Sequence, residues 1–132
     1  MLWRPDITLY NGIGAIMTYN DDRRLVLNNN GMILWLLPAR LESICNDMTL
    51  DGGQNVTCKW KFGSWTYNGL QLNLTHSDSQ LGMSNYFPSR DLYVVDVASD
   101  LNVVRYPCCP EPYPDVTYKI LLRRNMFRQP NQ

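Results

Sequence analysis

The chain has 132 residues, 45% of them hydrophobic, with Lys plus Arg equal to Asp plus Glu at 12 each. That length supports one domain with its own core, and zero net charge gives no field to recruit nucleic acid or an anionic membrane. The longest apolar run, Met32 to Leu37, is far too short to cross a bilayer.

The opening residues, LWRPDITLYN, have neither the charged start nor the apolar middle of a signal peptide; a secreted protein would have lost its leader or begin upstream. Ile7 to Tyr10 reads as a short strand ending at Asn11-Gly12. Arg24 to Leu27 and Met32 to Leu37 read as a hairpin around Asn28-Asn29-Asn30-Gly31. Between Cys45 and Cys58 lies NDMTLDGGQNVT, read as a polar loop. Lys59 to Trp65, Leu70 to Thr75, Asp91 to Tyr106 and Val116 to Arg124 then supply strand patterns. The stretch RYPCCPEPYPDV is too rich in proline for a helix or a central strand. No dozen-residue helical stripe is present, so the pattern predicts an all-β antiparallel sandwich of immunoglobulin-like type, with a polar tail at 125–132.

Signatures of catalysis are absent. There is no G-x-S-x-G elbow, P-loop or paired-histidine motif, so no catalytic residue and no cofactor are expected. Four cysteines allow three pairings. Structural disulfides fit better than zinc, because no C-x2-C pair exists and His76, read as a surface residue, is the only histidine. A Cys45–Cys58 bridge would close a short loop, whereas one between the adjacent Cys108 and Cys109 would shape a turn without stapling the fold. Disulfides and the sequons at Asn55 and Asn73 both point to an oxidising, extracellular compartment.

Aromatic residues carry the remaining signal. Tyr10, Trp65, Tyr106 and Tyr113 stand at strand ends or in loops, where side chains leave a core and line surfaces. Three segments, WRPDITLYN (3–11), CKWKFGSWTY (58–67) and YPCCPEPYPDV (106–116), occur in this order. Together they resemble the ligand-binding domain of nicotinic acetylcholine receptors, and more closely the soluble invertebrate acetylcholine-binding proteins. The resemblance runs from Leu2 to about Arg124, giving a domain at 1–124.

It implies disulfides Cys45–Cys58 and Cys108–Cys109. It also implies a principal face of Tyr10, Trp65, Tyr106, Cys108, Cys109 and Tyr113 for small cationic ligands such as acetylcholine or nicotine. A neighbouring subunit of a homo-oligomer, a pentamer in this family, would supply the complementary residues Val26, Leu34 and Leu36; the competing reading buries those leucines in their own core. Asp6, Lys61 and Asp115 match supporting positions. The Cys45–Cys58 segment is shorter than the channels' loop and lacks its apolar Phe-Pro portion, which favours the soluble, secreted branch over a channel's extracellular domain. The family's N-terminal helix, first strands and complementary-face tryptophan have no counterpart in the sequence. That leaves an open sheet edge, and with it the alternative of an assembly module that binds nothing.

Overall fold

The computed structural model describes residues 2–13, 17–18, 25–48, 55–76 and 82–125. Its strands, in chain order, are β1 (Ile7–Leu9), β2 (Met17–Thr18), β3 (Leu25–Leu27), β4 (Ile33–Trp35), β5 (Ala39–Arg40), β6 (Cys45–Met48), β7 (Asn55–Ser64), β8 (Leu92–Arg105) and β9 (Pro112–Arg124). Every pairing is antiparallel. The main sheet runs β1-β7-β9-β8, with β6 also on β7, while β2 pairs β5 and β3 pairs β4. The expected all-β antiparallel sandwich is therefore the fold. Among the described residues the only helical element is a 3-10 turn at Met83–Asn85, and no helix is long and apolar enough to cross a membrane.

Alternation along β7 and β9 builds the interior. Register sets Val56, Cys58, Trp60 and Phe62 opposite Leu122, Ile120, Tyr118 and Val116 on one face. Val56, Cys58 and Val116 are buried there, and Phe62 meets Tyr118 edge-on at 6.0 Å. Ala39 and Leu41 come over the same face, lining an open apolar cleft of about 380 Å³ with Trp60, Phe62, Tyr118 and Ile120. The opposite face carries Lys59, Lys61, Asp115, Thr117 and Lys119, the side on which the candidate site forms.

The β3–β4 hairpin turns at the predicted place. Asn28 and Met32 close it (Asn28 N–H to Met32 O, 2.8 Å), and Gly31 has φ +86°, a left-handed conformation that glycine adopts freely. Val26 faces Leu34 across the pair. Val26, Leu34 and Leu36 are 55%, 49% and 70% exposed, so the leucines do not fill this chain's own core.

Four expectations need correction. The segment 105–116 does enter a central strand: β9 starts at Pro112 and lies between β7 and β8. Its prolines are tolerated because β7 pairs with β9 only from Asp115 onward. The Pro112 carbonyl points away from β8, to Gly69 N–H at 2.7 Å. A residue's N and C=O share one side of a strand, so neither Pro112 nor Pro114, two along, owes β8 an N–H. Leu70 to Thr75 is no strand. Asn68 accepts backbone N–H bonds from Gln71 and Leu72 and turns the chain. The alternation there survives only in burial, with Leu72, Leu74 and His76 half-buried along a turn and loop. His76 is accordingly half-buried, its Nδ1 3.1 Å from Ser99 Oγ. The polar loop is partly a hairpin: Asn46, Asp47 and Met48 pair with Thr57, Val56 and Asn55.

Both disulfides are formed, Cys45–Cys58 and Cys108–Cys109. The first joins directly opposed residues of β6 and β7 across a separation of 13 residues. Replacing Cys45 and Cys58 by Ala should lower the unfolding free energy by about 3 kcal/mol. Replacing Cys108 and Cys109 by Ala should change it by less than about 0.5 kcal/mol, since that ring removes almost no unfolded-chain entropy. Urea unfolding of the two double variants measures both.

Candidate functional site

The site assembles where β1, β7, β8 and β9 end together. Tyr10 follows β1, and its N–H reaches Lys61 O at 2.8 Å. The ring then runs along β7 across Gly63, and the phenol donates to the Ser64 carbonyl. A Cβ at position 63 would stand 2.5 Å from the Tyr10 hydroxyl oxygen, so only glycine leaves the ring its place. Burial raises the Tyr10 phenol pKa first, and the nearby Tyr106, Asp115 and Asp6 add to it.

Trp65 stands just beyond β7, 76% exposed, its ring 6.0 Å from Tyr10 in an edge arrangement. Asp6 holds the chain on both sides of it, accepting from Ser64 Oγ at 2.5 Å and from Thr66 N–H at 2.8 Å. These bonds, Ser64 first and Thr66 next, keep the Asp6 carboxyl below its ordinary range. Ser64 Oγ in turn accepts Tyr67 N–H at 2.8 Å, and Tyr67 packs edge-on against Trp3 at 5.8 Å.

Tyr106 and Tyr113 come from the two sides of the β8–β9 hairpin and meet at 5.4 Å. The hairpin tip is tied by Cys109 N–H to Tyr106 O (3.1 Å) and by Arg105 Nη1 to Pro110 O (2.9 Å). A cleft of about 310 Å³ results, lined by Tyr10, Lys61, Ser64, Trp65, Val104, Tyr106, Tyr113, Pro114 and Asp115. Cys108 and Cys109 sit at the tip, outside that lining.

Asp115 is the cleft's buried charge at 2% exposure. Burial alone would raise its pKa. Asn102 Nδ2 at 2.8 Å, Thr117 Oγ1 at 2.9 Å and Lys61 Nζ at 3.2 Å outweigh that and lower it. The Lys61 ammonium also lies 5.9 Å from the Tyr10 ring centroid.

The six residues Tyr10, Lys61, Trp65, Tyr106, Tyr113 and Asp115 are thus brought to one cleft, with Asp6 directly behind it. Val26, Leu34 and Leu36 are not; they lie on the separate β3–β4 hairpin. Of the sequons, Asn73 is exposed, while Asn55 begins β7 and its Oδ1 accepts from Arg123 Nε at 3.0 Å. Among the described residues no cluster of His, Cys, Asp or Glu could hold a metal ion. Gly63, Ser64 and Asn102 were missed from the sequence. Only the glycine opposite a strand-end tyrosine offered any signal.

An antiparallel sandwich that gathers aromatic rings beneath a hairpin tipped by a vicinal disulfide defines a small-ligand-binding class of β-domain. The chain belongs to the neurotransmitter-gated ion-channel ligand-binding domain family, whose model matches residues 1–126. It is 38% identical over 125 residues to neuronal acetylcholine receptor subunit alpha-9 of Homo sapiens, covering 94% of this chain and 26% of that subunit. Acetylcholine receptor subunit alpha-L1 of Schistocerca gregaria is 35% identical over 133 residues, covering 93% of this chain and 24% of the subunit. The chain therefore spans about a quarter of these relatives' lengths. The crystal structure of AChBP from Bulinus truncatus superposes with a TM-score of 0.76 at 27% identity, over 94% of this chain and 61% of that one.

Asp115 fixes a sign for pH dependence. Its folded pKa lies below the ordinary 3.8, so its contribution is complete above that value and disappears as pH falls through the depressed one. Asp115→Asn should cost about 1–3 kcal/mol at neutral pH. It should also flatten the acid limb of stability below pH 3.8, read from urea midpoints along a pH series.

Proposed function

We propose that the cleft binds small organic cations of the acetylcholine type, held by the faces of Tyr10, Trp65, Tyr106 and Tyr113 with the Cys108–Cys109 hairpin as a flap. The observation that supports this is the convergence of four rings from three distant segments on one cavity of about 310 Å³. A quaternary ammonium donates no strong hydrogen bond. Each ring face contributes about 0.5–2 kcal/mol depending on desolvation, and several together reach the −8 kcal/mol of micromolar binding. The Trp65 carbonyl would accept from a protonated amine such as nicotine.

Val26, Leu34 and Leu36 of a neighbouring copy would form the opposite wall, in a homo-oligomer working outside the cell. The polar Cys45–Cys58 segment favours a soluble binding protein. A second reading, the extracellular domain of a receptor subunit, draws on the higher identity to the alpha subunits than to the AChBP structure. Partition of the native protein between soluble and membrane fractions separates the two.

Trp65→Ala should weaken acetylcholine binding by tenfold or more, of the order of one desolvated ring contact. Trp35→Ala, at a residue that alternates to the face opposite Leu34 and Leu36, should weaken it far less, with both corrected for stability; fluorescence titration and calorimetry measure this. Equal losses, or no saturable response of the wild type, overturn the proposal. Light scattering should give a mass several times the 15.3 kDa of one chain. A strictly monomeric particle that still binds would remove the composite wall.

A further inference from the structure

We propose that the side-chain amide of Asn11 is a positioning group for Tyr10: it substitutes for a strand residue on β7 and so fixes the direction in which the Tyr10 ring enters the aromatic cleft. This inference rests on the proposed cation site for its functional consequence, though its geometry stands apart from any ligand.

One edge of β7 is shared by two short strands. β1 pairs with Phe62 to Ser64, and β6 pairs with Asn55 to Cys58. Lys59 to Lys61 lie in the gap. The chain that carries Tyr10 cannot fill the gap, because it leaves β7 at once: Gly12 bridges to Ser43, and Ile13 N–H donates to Glu42 O at 2.9 Å. Two backbone groups of β7, Lys59 C=O and Lys61 N–H, would then lack strand partners.

The Asn11 carboxamide takes both. Its Oδ1 accepts Lys61 N–H at 2.9 Å, and its Nδ2 donates to Lys59 O at 2.8 Å. Nδ2 also reaches Ser43 Oγ at 3.1 Å, and that hydroxyl donates to Lys59 O at 2.7 Å. A carboxamide presents an acceptor and a donor in one plane, as a peptide unit does. With Tyr10 N–H on Lys61 O at 2.8 Å, both backbone groups of Lys61 are taken by consecutive residues. The Cα of Tyr10 is therefore clamped from both sides at the point where the strand ends. Gly63 provides the open path, and the ring reaches its contact with Trp65.

A merely structural asparagine would weaken folding and leave the site's internal coupling untouched; a positioning one acts through Tyr10. The test is a double-mutant cycle on acetylcholine affinity, using Asn11→Leu, which keeps shape and neutrality, with and without Tyr10→Ala. Asn11→Leu should weaken binding roughly tenfold in the otherwise wild-type protein and less than about twofold beside Tyr10→Ala. Equal losses in both backgrounds, or none in the first, overturn the proposal. If Asn11→Leu does not fold, Asn11→Ser runs the same cycle. An arm independent of ligand follows the Tyr10 ring resonances, assigned by their loss in Tyr10→Phe. Asn11→Leu should move them toward the positions they take in Trp65→Ala, and unmoved resonances overturn the proposal. Should the wild type ignore acetylcholine altogether, the cation site fails while this arm still decides the role of Asn11.

Discussion

A set of aromatic rings can surround a cation only if something other than the cation keeps them apart and aimed. Left alone, exposed rings collapse onto each other or onto the nearest apolar surface. In this protein the restraint begins with one carboxylate. Asp6 binds Ser64 Oγ and Thr66 N–H, on either side of Trp65. A residue from the chain's first segment thereby sets a loop 60 positions later. Charge-assisted bonds of this kind are stronger than neutral ones, and they hold the most exposed aromatic residue of the cleft. Ser64 connects the set: its hydroxyl serves Asp6 and Tyr67, and its carbonyl receives the Tyr10 phenol.

The same logic governs the floor of the cleft. Asp115 is buried, yet it is kept ionised by Asn102, Thr117 and Lys61 acting together. Asn102 belongs to β8, Lys61 to β7, and Asp115 and Thr117 to β9, so one charge draws on three adjacent strands. Their register is what aligns Val104 beside Tyr113 and Gly63 beside Asp115. The aromatic rim sits at the end of a ladder whose spacing is fixed by backbone bonds, and the polar network below resists sliding by one residue, which would turn every side chain to the wrong face.

Much of this was legible from residue order. The strand-end tyrosines, the Asn-Gly turn and the strand character of the last two segments follow from local propensity and pattern. What escaped depends on partners far away in sequence. Pro112 and Pro114 look like strand breakers until the absence of β7 on their N side is known. Leu70 to Thr75 alternates as a strand does, but Asn68 captures the backbone first. Gly63 reads as a weak point in a strand, and its meaning appears only once Tyr10 lies across it. Asn11 reads as a turn residue, whereas its amide acts as a piece of sheet. Each is a tertiary demand on a residue whose local preference pointed elsewhere.

The open side of the cleft bears on how such a site could bind well. Trp65 is 76% exposed and Tyr106 51% exposed, so a cation resting there keeps much of its water. Under those conditions a ring contact is worth about 0.5–1 kcal/mol, against 2 or more once desolvated. Four wet contacts therefore fall short of micromolar affinity, and four dry ones reach it. An apolar wall is the simplest way to remove the water without competing for the charge. Val26, Leu34 and Leu36 present such a surface, exposed and on a hairpin away from the rings. If these residues are the wall the proposal needs, one chain carries it and the rings on separate parts of the fold. On the proposed reading, affinity belongs to the contact between copies rather than to either copy alone.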